Sequence, residues 1–250
     1  MKDQVRVTGI ILSVFPIGEN DRRLTILTKE RGKIQVFARG CRKPNHALFG
    51  VTQPLIFCEF MITEGRNAYY LNSAEGRDYF PAVKSDLAMI CHGSYFAEMA
   101  EYYTVEGMDE RNILNLLFVT FKAMEKKKVP LPLIRRIYEY RILRYYGTGL
   151  EVFRCLSCGK EEQFTGLSIE KGGVFCKSCL DGMKDRHFSE TKLTPAVLYA
   201  LRFVSSAPLN KLYSFCLAED TFAEFSWIVK HFLRIHANHH FKSAEMLEMF

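Results

Sequence analysis

Two closely spaced pairs of cysteines constrain this chain more than any other feature. Together they form the pattern C-x₂-C-x₁₇-C-x₂-C, with Cys155, Cys158, Cys176 and Cys179. Two residues between paired cysteines let both thiolates of a turn face one ion, and this spacing is within the range of tetrahedral Zn²⁺ sites. Four thiolates leave no coordination position for water. The sequence therefore predicts a structural, non-catalytic zinc site in segment 153–181.

Redox chemistry is the alternative for these cysteines. A redox-active Cys-x-x-Cys usually stands alone after a strand in a βαβ unit, and the sequence shows no such unit, so the spacing favours zinc. Cys58, Cys91 and Cys216 are predicted to be buried as small hydrophobic residues, and Cys41, in a basic loop, to be exposed. His236, His239 and His240 could share a metal, but surface histidines at a helix end are the favoured interpretation.

Hydrophobic periodicity divides the chain into a β-rich and a helical part. Alternation predicts five short strands in the first eighty residues, at 5–15, 23–28, 33–39, 54–62 and 68–76. Such strands suit a small closed barrel such as the OB-fold, although an SH3-like barrel gives a similar pattern. Helical spacing follows at 86–103, after a cap at Asp109, and at 132–146, 195–205 and 219–237.

These patterns predict a multidomain α+β protein. We expect residues 1–80 to form a five-stranded barrel of one of these two kinds, and residues 81–250 to form a helical domain with a Cys₄ zinc-binding insertion. The first residues alternate like a strand and show no cleavage site, and no apolar run reaches the roughly 20 residues that a bilayer span requires. We therefore expect a cytoplasmic protein that has no contact with membranes.

Positive charge is concentrated in two segments of the chain. The net charge is +6; residues 1–50 hold ten Lys and Arg against four Asp and Glu, and residues 122–154 hold nine against three. Clustered cations attract polyanions, because each contact with a phosphate releases counterions. A net charge this modest is, taken alone, more typical of an ordinary solvated surface.

The strand predicted at 33–39 carries the first candidate binding surface. Alternation places Ile34, Val36 and Ala38 on one face and Lys33, Gln35, Phe37 and Arg39 on the other. An aromatic ring flanked by cations on a small barrel suits single-stranded nucleic acid, because bases stack on the ring and phosphates meet the cations. Alternatively, Phe37 packs under a loop or a helix. The candidate nucleic-acid contacts are Arg22, Arg23, Lys33, Phe37, Arg39, Arg42 and Lys43.

No catalytic motif is recognisable in the sequence. It lacks a phosphate-binding Gly-x-x-x-x-Gly-Lys-[Ser/Thr] loop, a Gly-x-Ser-x-Gly turn and a His-Glu-x-x-His helix. The prediction is therefore a binding protein and not an enzyme.

Several segments in a fixed order resemble the bacterial RecO family of recombination mediators and DNA-repair proteins. The resemblance is carried by GENDRRLTILTKERGKIQVFARGCRKP, GVTQPLIF, CLSCG and GGVFCKSC. It implies an N-terminal OB-fold and a helical C-terminal domain with a zinc-binding insertion. It also implies binding of single- and double-stranded DNA, annealing of complementary strands without ATP, location at the nucleoid, and partnership with RecR and the single-stranded-DNA-binding protein.

The sequence departs from the family pattern at two places. Asn45, His46 and Ala47 stand where a hydroxyl or basic residue is expected, and Cys41 replaces a small residue.

A second anion site is predicted at Lys126, Lys127, Lys128, Arg135 and Arg136. Its ligand would be DNA or the acidic tail of the single-stranded-DNA-binding protein; a solvated helix end is the alternative.

A second functional hypothesis remains at this point. The protein would be a zinc-ribbon adaptor, in the manner of a transcription factor, whose barrel binds another protein. Replacing Arg39, Arg42 and Lys43 distinguishes the two, because only the first hypothesis requires these residues for DNA binding.

Overall fold

The computed structural model describes residues 4–66, 68–182 and 190–249. The chain forms two compact units: Met1–Lys128 with Phe241–Phe250, and Val129–His240. In the part of the chain that is described, no helix has both the length and the apolar character needed to cross a membrane.

Five strands form a closed barrel at the start of the first unit. They are β1 (Gln4–Ile17), β2 (Asp21–Thr28), β3 (Gly32–Ala38), β4 (Phe57–Glu64) and β5 (Tyr69–Asp78). The strands pair in the order β1-β2-β3-β5-β4, β1 closes on β4, and only β3 and β5 run parallel. This five-stranded Greek-key order is that of the OB-fold, so the predicted fold class is confirmed.

The barrel encloses an apolar core that strand alternation supplies. Ile34, Val36 and Ala38 are almost completely buried, as predicted, and pack with inward residues of the other strands. Gly32 makes the β2–β3 turn with φ +65°, and a Cβ at this position would meet the carbonyl oxygen of Val105 at 2.4 Å. Cys41 also lies in this core, so its predicted exposure is wrong: the loop after β3 folds back over the barrel and needs a small apolar residue there.

Helices complete the first unit. They are α1 (Pro81–Ser85), α2 (Leu87–Tyr103) and α3 (Arg111–Lys126), and near the C-terminus α8 (Lys242–Met246) with a 3₁₀ turn, Leu247–Met249. Phe80, at the predicted domain boundary, is buried and packs its ring against Phe118 and Phe121 of α3. The predicted cap Asp109 is wrong, because Glu110 is the N-cap residue; Asp109 instead accepts hydrogen bonds from Arg111.

The second unit combines helices with a small sheet. Its helices are α4 (Leu131–Tyr145), α5 (Lys177–Asp181), α6 (Pro195–Ser206) and α7 (Glu219–His236), with a 3₁₀ turn at Leu209–Lys211. Its strands are β6 (Phe164–Ser168), β7 (Gly173–Cys176) and β8 (Glu190–Lys192), in the order β7-β6-β8. Thr194 caps α6, since its hydroxyl accepts a hydrogen bond from the amide of Val197.

Two buried polar groups join the helices of this second unit. Arg141 of α4 donates from Nη1 to the carbonyl oxygens of Val204 and Ser205, both 2.9 Å away, at the end of α6. The Tyr140 hydroxyl lies 2.8 Å from the Ser205 Oγ. Cys216, just before α7, is exposed, so its predicted burial is wrong.

Candidate metal site and nucleic-acid interface

The four paired cysteines come together in the second unit. The sulfur atoms of Cys155, Cys158, Cys176 and Cys179 all lie within 4.8 Å of one another. The sulfurs of Cys158 and Cys176 are 3.7 Å apart. A tetrahedral ion with metal–sulfur bonds of about 2.3 Å requires sulfur–sulfur distances of roughly 3.8 Å. The cluster therefore has the dimensions of a four-thiolate metal site.

Local backbone structure explains how each pair is positioned. The first pair lies in a turn closed by the amide of Gly159, which donates to the Cys155 carbonyl at 2.9 Å, with Gly159 at φ +72°. The second pair follows the β6–β7 hairpin: Cys176 ends β7 and Cys179 lies in α5. The amide of Leu156 donates to the Val174 carbonyl at 3.0 Å and so joins the two pairs.

The ionisation of the four cysteine thiols is consistent with a bound cation. Burial raises the pKa of Cys155, but hydrogen bonds from the backbone amides of Cys176, Cys158 and Ser157 lower it more, to about 6. The Ser157 hydroxyl lowers the pKa of Cys179, but hydrogen bonds with Cys158 and Cys176 raise it more, to about 12. Four thiols this close cannot all ionise near neutral pH unless a cation offsets their charge. The site can hold a metal ion.

A row of aromatic and cationic side chains crosses the outer face of the barrel. Strand register places Phe15 of β1 opposite Arg23 of β2, Arg23 opposite Phe37 of β3, and Phe37 beside Tyr70 of β5. The Arg23 guanidinium lies 5.4 Å from the centre of the Phe15 ring, and the rings of Phe37 and Tyr70 are 6.0 Å apart. The Arg39 guanidinium lies over Tyr70 at 4.7 Å. We call these five residues the barrel row.

The barrel row contains three predicted residues and two that sequence reasoning missed. Arg23, Phe37 and Arg39 were predicted; Phe15, which is 61% exposed, and Tyr70 were not. Phe37 does have a neighbour, as the alternative required, but that neighbour is the half-buried ring of Tyr70 and the two rings share the outer face. The sequence signal for Tyr70 was the tyrosine pair in AYYLN. This pair does not show that β5 lies beside β3.

The other four predicted contacts differ in their partners. Arg22 donates to Thr52 Oγ1 at 2.7 Å and to the Phe49 carbonyl at 3.1 Å, and Lys33 donates to the Glu101 carbonyl. Arg42 is exposed and donates to the Gly18 carbonyl at 3.0 Å, while the Lys43 side chain is exposed. Among the residues that the structure describes, no carboxylate forms an ion pair with Arg23, Arg39, Arg42 or Lys43.

The members of the predicted second anion site belong to different units. Lys126, Lys127 and Lys128 are exposed at the end of α3 in the first unit. Arg135 and Arg136 lie in α4 of the second unit, and both form ion pairs with the completely buried carboxylate of Glu139. The two arginines therefore already balance a buried charge, whereas the lysines are presented to solvent.

Fold and site together define a class of protein: an OB-fold barrel with a basic and aromatic outer face, followed by a helical region with a four-cysteine metal site. The protein-family model for the N-terminal domain of recombination protein O matches residues 1–80. The family model for its C-terminal domain matches residues 84–245. The chain belongs to the RecO family of DNA repair proteins, which act in repair and recombination.

Individual relatives agree with this assignment. The DNA repair protein RecO of Desulforudis audaxviator is 32% identical over 210 residues, covering 84% of this chain and 82% of its own. The RecO of Alkaliphilus metalliredigens is 31% identical over 176 residues, covering 70% and 72%. The RecO of Halalkalibacterium halodurans is 27% identical over 243 residues, covering 97% and 94%.

Proposed function

We propose that this RecO-family protein is a non-enzymatic mediator that binds single- and double-stranded DNA and anneals complementary strands without ATP. The barrel row is the observation that carries the proposal: three aromatic rings and two arginines aligned across four strands. Rings in such a row stack with bases of any sequence, and the arginines meet phosphates. The row thus favours a long polyanion that also has flat, apolar groups.

Annealing follows from these contacts without bond formation. Two complementary strands repel each other through their phosphates, and cations on the protein surface reduce that repulsion. The candidate contacts remain Arg22, Arg23, Lys33, Phe37, Arg39, Arg42 and Lys43, of which Arg22 and Lys33 are already hydrogen-bonded within the protein. Stacking leaves the pairing edges of the bases accessible to a second strand.

The metal site would serve the fold and not the reaction. We propose that Zn²⁺ is its metal, since four thiolates at this spacing select a tetrahedral, soft-ligand ion. Bound zinc would supply folding free energy to segment 153–181 and no catalytic position. We further propose that residues 1–80 form the nucleic-acid-binding domain and 81–250 the helical domain.

Membership of the family supports the proposed partners. These are RecR and the single-stranded-DNA-binding protein, and the proposed location is the cytoplasm, at the nucleoid. The exposed lysines at 126–128 offer a surface for an anion, either DNA or the acidic tail of the single-stranded-DNA-binding protein. Arg135 and Arg136 would take part only if they keep their pairing with Glu139.

Annealing of two labelled complementary DNA strands, without ATP and across a salt series, tests this function. We expect the wild-type protein to accelerate annealing at low salt, and the triple variant Arg39→Ala, Arg42→Ala, Lys43→Ala to lose most of that acceleration. The single variant Arg39→Ala is compared with Lys29→Ala, which also removes one charge, because Lys29 is an exposed cation in the turn at the other end of the β2–β3 hairpin.

If folded wild-type protein leaves the annealing rate unchanged at low salt, the mediator proposal is wrong. The adaptor hypothesis, in which the barrel binds a protein, would then replace it.

A further inference from the structure

A concave site of about 520 Å³ lies on the barrel beside Phe37. This volume is within the roughly 300–1,000 Å³ range of small-ligand sites. Three groups of residues line it. The first is the outward side chains of β3, including Gln35; the second is Glu64, Gly65, Arg66, Ala68 and Tyr69; the third is Val105 and Glu106. Phe37 belongs to both the barrel row and the concave site, so the two surfaces are continuous.

The charges around this site balance one another. Its lining contains two cationic side chains, Lys33 and Arg66, and two acidic ones, Glu64 and Glu106. Glu64 is also paired with Arg31 at 3.2 Å, and Lys33 donates to the Glu101 carbonyl. A phosphate entering here would meet carboxylates as well as cations, and therefore gains little compared with the barrel row.

The site instead offers hydrogen-bonding groups to a neutral ligand. The Gln35 amide is exposed and provides two donors and an acceptor. The Tyr69 hydroxyl accepts a hydrogen bond from Arg31 Nη1 at 3.4 Å and also forms a hydrogen bond with Glu106; burial and the contact with Glu106 raise its pKa. One lone pair of this oxygen is left for a ligand donor. The ring of Phe37 provides an apolar face next to these groups. A flat neutral group with donors and acceptors on its edge matches this combination.

We propose that the concave site binds one unstacked nucleobase of a single strand whose neighbouring nucleotides lie on the barrel row. Gln35 and Tyr69 contact the edge of the base, and Phe37 contacts its face. The inference rests on the proposed DNA binding and goes further by separating the two surfaces: neighbouring nucleotides stack and meet cations on the row, and one base enters the concave site. Only an unpaired base can enter, so the site favours single strands over duplex.

The double variant Gln35→Ala, Tyr69→Phe tests this assignment, because it removes two polar groups and leaves the barrel row intact. We measure the affinity of wild type and variant for labelled oligothymidylate, for an abasic chain of equal length, and for a duplex. The expected loss is about tenfold for oligothymidylate, from two lost hydrogen bonds. The abasic chain and the duplex should bind within about twofold of wild type.

Controls separate failure of this inference from failure of DNA binding itself. Gln4→Ala removes an exposed amide from β1 and should change none of the three affinities. If wild type binds oligothymidylate and the double variant weakens all three ligands equally, or none, the nucleobase site is wrong and the DNA-binding proposal stands. If wild type binds no DNA, the proposed function fails first.

Discussion

At the scale of single residues, Arg22 and Arg39 illustrate how equal side chains acquire different roles. Arg22 pairs with Ala38 in the β2–β3 ladder, so Arg39 is its near neighbour. The Arg22 guanidinium reaches three oxygen atoms of Phe49 and Thr52 and thereby holds the segment after β3. Arg39 is exposed and contacts only the ring of Tyr70 among the contacts that the structure describes.

This difference predicts opposite effects of two alanine substitutions. Arg22→Ala should lower the free energy of unfolding by about 1.5–3 kcal/mol, the usual value for hydrogen bonds from a charged group. Arg39→Ala should leave stability nearly unchanged and weaken single-stranded DNA binding several-fold, through a lost phosphate contact. Urea unfolding and fluorescence anisotropy measure the two quantities. Equal losses of stability in both variants would contradict this division.

Single-residue predictions succeeded where one local rule decides the outcome. Alternation in β3 was enough to place Ile34, Val36 and Ala38 in the core. It could not reveal that Phe37 lies beside Tyr70, because β3 and β5 are brought together by the barrel closure over more than thirty residues of chain. The exposure predicted for Cys41 was wrong for the same reason. A basic loop sequence predicts exposure, and only the folded barrel shows that this cysteine lies in the core.

At the scale of elements, the long helices were predictable and the metal-binding sheet was not. The predicted helix 86–103 is α2, Leu87–Tyr103, and its apolar residues Leu87, Ile90 and Tyr102 are all exposed. This helix is apolar on most sides, so periodicity does not select the buried face. Strand β6 escaped detection because it lies in the largely polar segment GKEEQFTGLSIEKGG, and β7 because its four residues, Gly173–Cys176, are too few to show a period.

The four-cysteine element should depend on a bound metal ion for its structure. Among the residues that the structure describes, Phe164, Phe175 and Leu180 are those that accompany the cysteines in the local apolar cluster, and so small a core gives little folding free energy by itself. Metal removal by a chelator, or the Cys158→Ser substitution, should therefore increase hydrogen exchange across 155–181. The barrel strands should keep their protection, because the four cysteines lie in the other unit.

The matched control is Cys216→Ser, an exposed cysteine outside the cluster. It should keep one metal ion per chain by elemental analysis and the wild-type exchange pattern. Folded, protected 155–181 in protein shown to be free of metal would refute a structural role for the ion.

At the scale of the whole molecule, the predicted positive segments differ in how much charge they offer a ligand. The barrel presents Arg23, Arg39, Arg42 and Lys43 without carboxylate partners among the described ion pairs. In the second segment, Arg135 and Arg136 balance the buried Glu139, so reversing the charge of Arg136 would leave that carboxylate poorly compensated and disturb α4. The three exposed lysines are the better probe of this segment.

The salt dependence of binding can count the cations that contact DNA. For single strands, log K falls with log salt concentration with a slope of about −0.7 for each neutralised phosphate. Contacts from the four barrel cations predict a slope near −3, on the order of 0.7 each. The variant Arg39→Ala, Arg42→Ala, Lys43→Ala should reduce the magnitude of the slope by about 2.

The variant Lys127→Ala, Lys128→Ala should reduce the magnitude of the slope by about 1.4 if these lysines contact DNA, whereas an unchanged slope would assign them to a protein anion. Lys29→Ala, which changes the net charge equally per residue, should leave the slope at its wild-type value. A slope that falls with Lys29→Ala as much as with Arg39→Ala would mean that DNA responds to total charge and that the barrel row is not its path.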